Sequence, residues 1–256
     1  MQNFNYMTPT RLIFGKGVVE QLPEVMSNYG KKILLTYGGG SIKKIGLYDK
    51  VKELLKGFEI FELSGIQPNP KYDPSVLEGV RICKENDIDV ILAVGGGSVL
   101  DCSKAIATGA KYDGEPWDLI SYKAKAQASI PIVDIITLAA TGSEYDPGGV
   151  ISRTETNDKI GYVDPLNYPA VSFLDPTYTF TVSKKQTAAG CADAIRISAD
   201  RQVIAVRNGH RSGGHECLVS GWKRVQRSSR NCNRKCGCFV LVCYRNCTCS
   251  DRQRTT

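Results

Sequence analysis

The sequence predicts an α/β domain with a doubly wound, mostly parallel sheet, and three observations carry that prediction. Short, largely apolar runs rich in β-branched residues alternate with segments of helical spacing, the pattern of βαβ units. Within runs such as Val90–Val94 the apolar residues are consecutive, as strands covered on both faces require. Two of the runs end alike, in three glycines and a serine: Gly38-Gly39-Gly40-Ser41 and Gly95-Gly96-Gly97-Ser98.

In chain order, Thr8–Gly17 reads as a strand and turn. Val18–Tyr29 is helical, with Val19, Leu22 and Val25 or Met26 on one side. The first glycine corner follows the run Lys32–Tyr37, then a helix over Tyr48–Leu55, a strand over Glu59–Leu63 and a turn at Gln67-Pro-Asn-Pro. Ser75–Asn86 is helical, with Val76, Gly79, Val80 and Cys83 inward. The second corner opens a helix in which Ser98 reads as N-cap and Asp101 as its capping-box partner, with Leu100, Ala105 and Ile106 as apolar stripe. Ile130–Leu138 is a buried strand, and Thr141-Gly142-Ser143-Glu144 repeats the cap pattern at its end, with Glu144 as cap partner. Val150–Arg153 and Lys159–Val163 form a hairpin around residues 155–158. Ala170–Leu174 is the last strand, before Asp175-Pro176, and a new helix starts near Thr181. Cys83, Cys102 and Cys191 are expected as small buried fillers, and Asp134 and Asp146 as surface or cap groups.

Composition is that of an ordinary globular protein: 256 residues, 42% apolar and 23% charged. No apolar run approaches membrane-spanning length, and the first residues lack the basic region and apolar core of a secretory signal. The expectation is a soluble cytoplasmic protein without a membrane partner. The net charge of +7 is unevenly placed, because residues 196–256 hold 13 Lys and Arg against 3 Asp and Glu. Seven of the ten cysteines also follow residue 195, where helical and strand periodicity stop.

A buried strand, a glycine turn and a helix start together put free backbone N–H groups and a positive helix end at one point. That is an anion site, most often for phosphate. Two such corners on one sheet favour a dinucleotide, whose pyrophosphate-bridged body can touch both. The G-x-G-x-x-G fingerprint is absent.

The segments Tyr37–Lys44, Gly95–Asp101, Thr137–Glu144, Asp158-Lys159, Leu174–Tyr178 and Ala192–Ala194 resemble, in order, those of the iron-containing (group III) alcohol dehydrogenases, in the branch of butanol dehydrogenases and NADPH-dependent aldehyde reductases. The resemblance covers about residues 1–195. It implies a dinucleotide-binding α/β domain over 1–180, the start of an all-helical metal-binding domain over 181–195, and hydride transfer between a nicotinamide and a primary alcohol or aldehyde. It also implies a possible homodimer of the intact enzyme. Carried over, Gly38, Gly39, Gly40 and Ser41 lie near the adenosine ribose, Gly95, Gly96, Gly97 and Ser98 on the pyrophosphate and Asp101 near the nicotinamide. Thr137, Thr141, Gly142, Ser143 and Lys159 complete the cofactor site. The family's acidic residue near position 39 is here Gly39, with Ser41, Lys43 and Lys44 nearby, so NADP is favoured over NAD. The family's Fe²⁺ or Zn²⁺ is held by one aspartate, matched by Asp193, and three histidines. The histidine expected four residues on is Ile197, and the chain's two histidines, His210 and His215, lie in no family-like context.

Residues 196–256 are therefore expected to be out of frame, with most of the helical domain missing, no metal bound, no catalytic residue to name and the chain inactive as written. The alternatives are a non-catalytic dinucleotide-binding fragment, or a designed tail. In that tail Cys232-x3-Cys236-x-Cys238 and Cys243-x3-Cys247-x-Cys249 would bind zinc, or eleven arginines would bind nucleic acid. The cysteine spacing is not a usual zinc-knuckle pattern, and aromatics to stack bases are few, so nucleic acid is disfavoured.

Overall fold

Residues 7–192 and 194–195 are described by the structure, a computed structural model. Asp193, Ile197, both histidines and the cysteine-rich segment lie outside them, so the expectations placed on those residues do too. The chain divides into two compact units, Met1–Val182 and Ser183–Thr256.

In the first unit the strands are β1 (Arg11–Phe14), β2 (Lys32–Tyr37), β3 (Glu59–Leu63), β4 (Val90–Gly95), β5 (Ile132–Ile136), β6 (Gly148–Arg153), β7 (Asp158–Val163) and β8 (Val171–Leu174). The helices are α1 (Leu22–Ser27), α2 (Ser41–Lys44), α3 (Leu47–Leu54), α4 (Leu77–Asn86), α5 (Gly97–Ala110) and α6 (Pro116–Ile120). Six strands form one sheet in the order β1-β8-β5-β4-β2-β3, every pair parallel, while β6 and β7 make the expected antiparallel hairpin.

Alternation along each strand divides the core in two. Ile91 and Ala93 of β4 pack with Leu100 and Ile106 of α5, whereas Val90, Leu92 and Val94 pack with Leu47 and Val51 of α3. Helices cover both faces, and β4 is buried along its whole length, which is why it reads as an unbroken apolar run. The sheet is thus doubly wound, as expected. From β2 the chain passes through α2 and α3 towards β3, and from β4 it passes through α5 towards β5 on the other side. β2 and β4 are neighbours, so their outgoing connections diverge and leave a crevice beyond their carboxyl ends.

Several local expectations are corrected. The helix near residue 18 is a 3₁₀ turn, Val18–Gln21, followed by the short α1. Thr141–Glu144 opens no helix but runs through turns, so Glu144 caps nothing there. Asp134 is fully buried on β5 rather than at the surface. Cys83 and Cys102 are buried as expected, whereas Cys191 is only half-buried. No described helix is long and apolar enough to cross a membrane.

Asp175, 2% exposed, ties the end of β8 to the loop after β1. Its Oδ2 accepts the Gly17 amide at 2.7 Å, and its Oδ1 accepts the Thr177 amide at 3.0 Å and hydroxyl at 2.7 Å. Asp175→Ala strands those donors and should lower stability by about 1–2 kcal/mol, read as an earlier urea midpoint at unchanged m-value.

The second unit begins with a helix at residue 184. Ser183 caps it: the Gln186 amide donates to Ser183 Oγ at 3.2 Å, and Ser183 Oγ donates to Gln186 Oε1 at 3.4 Å.

Candidate functional site: paired glycine corners

β2 and β4 pair with Tyr37 opposite Val94, so Gly38 and Gly95, the next residues of each strand's path, emerge side by side. At the first corner Gly40 takes φ +100°, a left-handed conformation that suits glycine, and so turns the chain into α2. At the second, extended Gly96 is the N-cap of α5, and no side chain caps the helix. The first α5 amides bonded to the cap carbonyl are those of Val99 and Leu100, both to Gly96 O. The Gly97 and Ser98 amides precede them at the positive end of a fourteen-residue helix. Ser98 is therefore not the N-cap. It stands one residue inside the helix, leaving backbone amides to face whatever enters the crevice.

A third segment joins these two. β5 lies beside β4, and the Thr137 amide donates to Gly95 O at 2.9 Å. The chain then curls over the start of α5. A Cβ built on Gly97 would stand 2.6 Å from Thr141 Oγ1, so this approach has room only for glycine unless Thr141 moves. Ser143 Oγ donates to Asp101 Oδ1 at 2.8 Å, and the Val150 amide donates to Asp101 Oδ2 at 3.1 Å. Asp101 is thus no capping-box partner. It binds the segments 42 and 49 residues further on, and burial pushes its carboxyl above the ordinary value despite those donors.

Gly38–Ser41, Gly95–Ser98, Asp101, Thr137 and Thr141–Ser143 are in this way gathered at one end of the sheet. Lys159 is not bonded to either corner. Its ammonium donates to Asn69 Oδ1 at 2.8 Å, and both residues line a cavity of about 290 Å³ with Lys71 and Arg153. The loop carrying Asn69 leaves β3 alongside the first corner, with the Gly65 amide on Gly38 O and the Ile66 amide on Tyr37 O, each 3.2 Å. Asn69 was hidden in a stretch legible only as a turn.

Close to the first corner a cluster holds Lys43. Glu62 accepts the hydroxyls of Tyr37 and Tyr48, each at 2.9 Å, and the Lys52 ammonium at 3.0 Å. The hydrogen bond to Glu62 pushes the Tyr48 phenol up to about 12. Lys43 Nζ lies 4.6 Å from the Tyr48 ring centroid and 5.2 Å from that of Tyr37, within cation–π range.

The donor set here suits a dinucleotide: backbone amides at a helix start, hydroxyls of Ser41, Ser98 and Thr141, and no Cβ on the six corner glycines. It does not suit the metal. The whole chain has two histidines, fewer than the three that accompany the aspartate in the family's set. Among the described residues no three His, Cys, Asp or Glu side chains are grouped to hold an ion.

Comparison with known proteins matches residues 9–176 to the family described as iron-containing alcohol dehydrogenase. A probable NADH-dependent butanol dehydrogenase 1 of Bacillus subtilis is 54% identical over 197 residues, 76% of this chain and 51% of the relative. The NADPH-dependent aldehyde reductase YqhD of Escherichia coli is 42% identical over 206 residues, 79% of this chain and 53% of that protein. Among solved structures, the NADH-dependent butanol dehydrogenase A of Thermotoga maritima superposes with a TM-score of 0.73 at 43% identity, covering 77% of this chain and 50% of that one. The chain spans about half the length of the curated relatives it matches. Residues 9–176 carry the sheet, the corners and the match alike, and the chain belongs to the iron-containing alcohol dehydrogenase family.

Proposed function

We propose that this chain is the nicotinamide-dinucleotide-binding part of an alcohol dehydrogenase or aldehyde reductase of the butanol dehydrogenase kind, and that alone it binds the cofactor without catalysing hydride transfer. The observation that carries the reading is the adjacency of the two glycine corners at the point where the strand connections diverge. Gly95–Ser98 would seat the pyrophosphate with the Gly97 and Ser98 amides, helped by the Thr141 hydroxyl. Gly38–Ser41 would face the adenosine ribose. Asp101, Thr137, Gly142 and Ser143 would border the nicotinamide half, and Lys159 would add a cation. The bound nicotinamide would supply or accept the hydride, with a primary alcohol or aldehyde as the other reactant. Asp193 would be the one metal ligand on this chain. With two histidines in all, the chain is proposed to hold no Fe²⁺ or Zn²⁺.

Titrating the purified chain with NADPH and NADH, followed by nicotinamide fluorescence, tests the reading. Saturable binding without metal-dependent aldehyde reduction is the expected result. Failure of a folded chain to bind either cofactor overturns it, and turnover of an aldehyde overturns its non-catalytic half.

We further propose that NADP is preferred over NAD. A Cβ on Gly39 would meet nothing within 4 Å, so a side chain there acts through its charge rather than by collision. Gly39→Asp should weaken NADPH binding by roughly tenfold or more, through repulsion of the 2′-phosphate, and leave NADH nearly unchanged. Equal losses for both cofactors would remove the adenosine ribose from this corner.

A further inference from the structure

Asp101 and Lys104 are the only charged residues on α5, and Lys104 is wholly buried, with its side chain 0% exposed. A lysine in that position demands partners, and it has five. Its ammonium lies 2.8 Å from both Ser143 O and Ser143 Oγ, 2.7 Å from Asp146 O, 3.2 Å from Asp146 Oδ1 and 2.7 Å from Gly148 O. Three of the five are backbone carbonyls within a six-residue stretch that has no helix, and no strand before Gly148. An ammonium has three donors and no lone pair, so an all-oxygen cage suits its charged form. Carbonyl-lined cages of this sort also replace the hydration shell of monovalent cations.

The cage shares Ser143 with the proposed cofactor site. Ser143 belongs to the segment that curls over the start of α5, and its hydroxyl also donates to Asp101, one helical turn before Lys104. The Gly148 amide closes the cage by donating to Asp146 Oδ1 at 2.7 Å. Other ties of the segment are the Tyr145 amide on Gly142 O at 2.8 Å, the Asp164 amide on Pro147 O at 3.4 Å and Ser172 Oγ at 2.7 Å from Glu144 O, and none of these three reaches Thr141. The charged or titratable groups facing Lys104 are Asp101 on its own helix, Asp146 on the segment and Asp134 on β5. Glu144 adds its carboxyl on the segment.

We propose that Lys104 is a positioning residue for the cofactor. Its ammonium is a built-in cation that organises residues 143–148 and so sets Thr141–Ser143 against the start of α5, and without its side chain the cage takes a small free cation instead. The proposal rests on the dinucleotide reading for its effect on binding, but not for the cage itself.

The test compares the full chain with Lys104→Ala in a tetramethylammonium buffer, alone and with potassium, ammonium or methylammonium. Amide hydrogen exchange over residues 141–150 reads the cage, and NADPH fluorescence reads the cofactor. Lys104→Ala is expected to speed exchange there while leaving β2 and β4 protected, and to weaken NADPH roughly tenfold or more. Methylammonium should reverse both effects, and methanol, neutral and of similar size, should reverse neither. Unchanged exchange and affinity in a folded variant overturns the proposal, as does equal rescue by methanol, which would mean that Lys104 only fills space. If Lys104→Ala folds only with an amine present, the cage is supported. If it does not fold at all, Asp146→Ala, which removes one half-exposed ligand, decides: faster exchange confined to residues 141–150 supports the cage, and none overturns it. A wild-type chain that fails to bind NADPH would sink the dinucleotide reading, while the exchange comparison would still judge the cage.

Discussion

Gly97→Val is expected to weaken NADPH binding about a hundredfold without unfolding the chain, since ångström-scale misplacement in an organised site costs about that much. Gly97 is the first residue of α5 and its backbone is open to any L-residue, so the variant costs nothing in helix propensity, valine being the better helix former by a few tenths of a kcal/mol. The damage lies in the contact with Thr141, whose Oγ1 would sit 2.6 Å from the new Cβ. Alanine can be accommodated by turning the threonine hydroxyl away, so Gly97→Ala should lose affinity only several-fold. Valine adds two methyl groups that must displace either the Thr141 segment or the ligand. Gly96 provides the contrast, because a Cβ there meets Leu138 at an ordinary 3.5 Å. The expected order of severity is Gly97→Val, then Gly97→Ala, then Gly96→Ala, read by fluorescence titration with circular dichroism as a folding control. A valine variant that binds NADPH like the parent would place the pyrophosphate elsewhere.

What could be read from the residues, and what could not, follows the range of the forces involved. β4 was legible to within one residue, because a strand covered on both faces must be apolar at consecutive positions. β3, an edge strand with only Leu63 buried, was legible to the residue from Ile60, Phe61 and Leu63 ahead of a turn. The pairing of the corners was legible because each strand-glycine-serine segment is local. The start of α5 was not. Ser98 and Asp101 have the composition of a capping box, yet Asp101 is engaged by Ser143 and Val150, and Gly96 caps the helix through backbone conformation alone. Residues 42 and 49 positions away cannot enter a local rule. α6, with five residues, is too short to show a helical period. Lys104 did leave a signal: one lysine among Cys102, Ser103, Ala105 and Ile106, on a helix otherwise buried almost throughout. Such a residue is burdensome unless its charge is fully paired, which makes it worth asking what pairs it.

Asp134→Asn should stabilise the chain at neutral pH, by about 1 kcal/mol or more, and do nothing for it in acid. Asp134 sits mid-strand on β5 with no exposure, and its Oδ1 has no hydrogen-bond partner. Its Oδ2 lies 2.6 Å from Ser172 Oγ, the residue opposite it on β8, and that same hydroxyl lies 2.7 Å from Glu144 O. A serine has one proton to give. If it goes to the Glu144 carbonyl, the contact with Asp134 is satisfied only when the carboxyl carries a proton and donates it. Burial works the same way, pushing Asp134 well above its ordinary 3.8. A carboxyl whose proton is held more tightly in the folded state stabilises fully below its unfolded value. That contribution is lost as pH climbs towards the folded value, at about 1.4 kcal/mol per pH unit. Asparagine keeps a donor for Ser172 and has no charge to desolvate. The gap between variant and parent in urea midpoint should therefore be near zero at or below pH 3.8, widen with rising pH and level off only above the raised value. A variant that is less stable than the parent at pH 8, or a gap independent of pH, would mean that Asp134 is ionised and held by charge, with the cation of Lys104 nearby as its only candidate partner among the described residues.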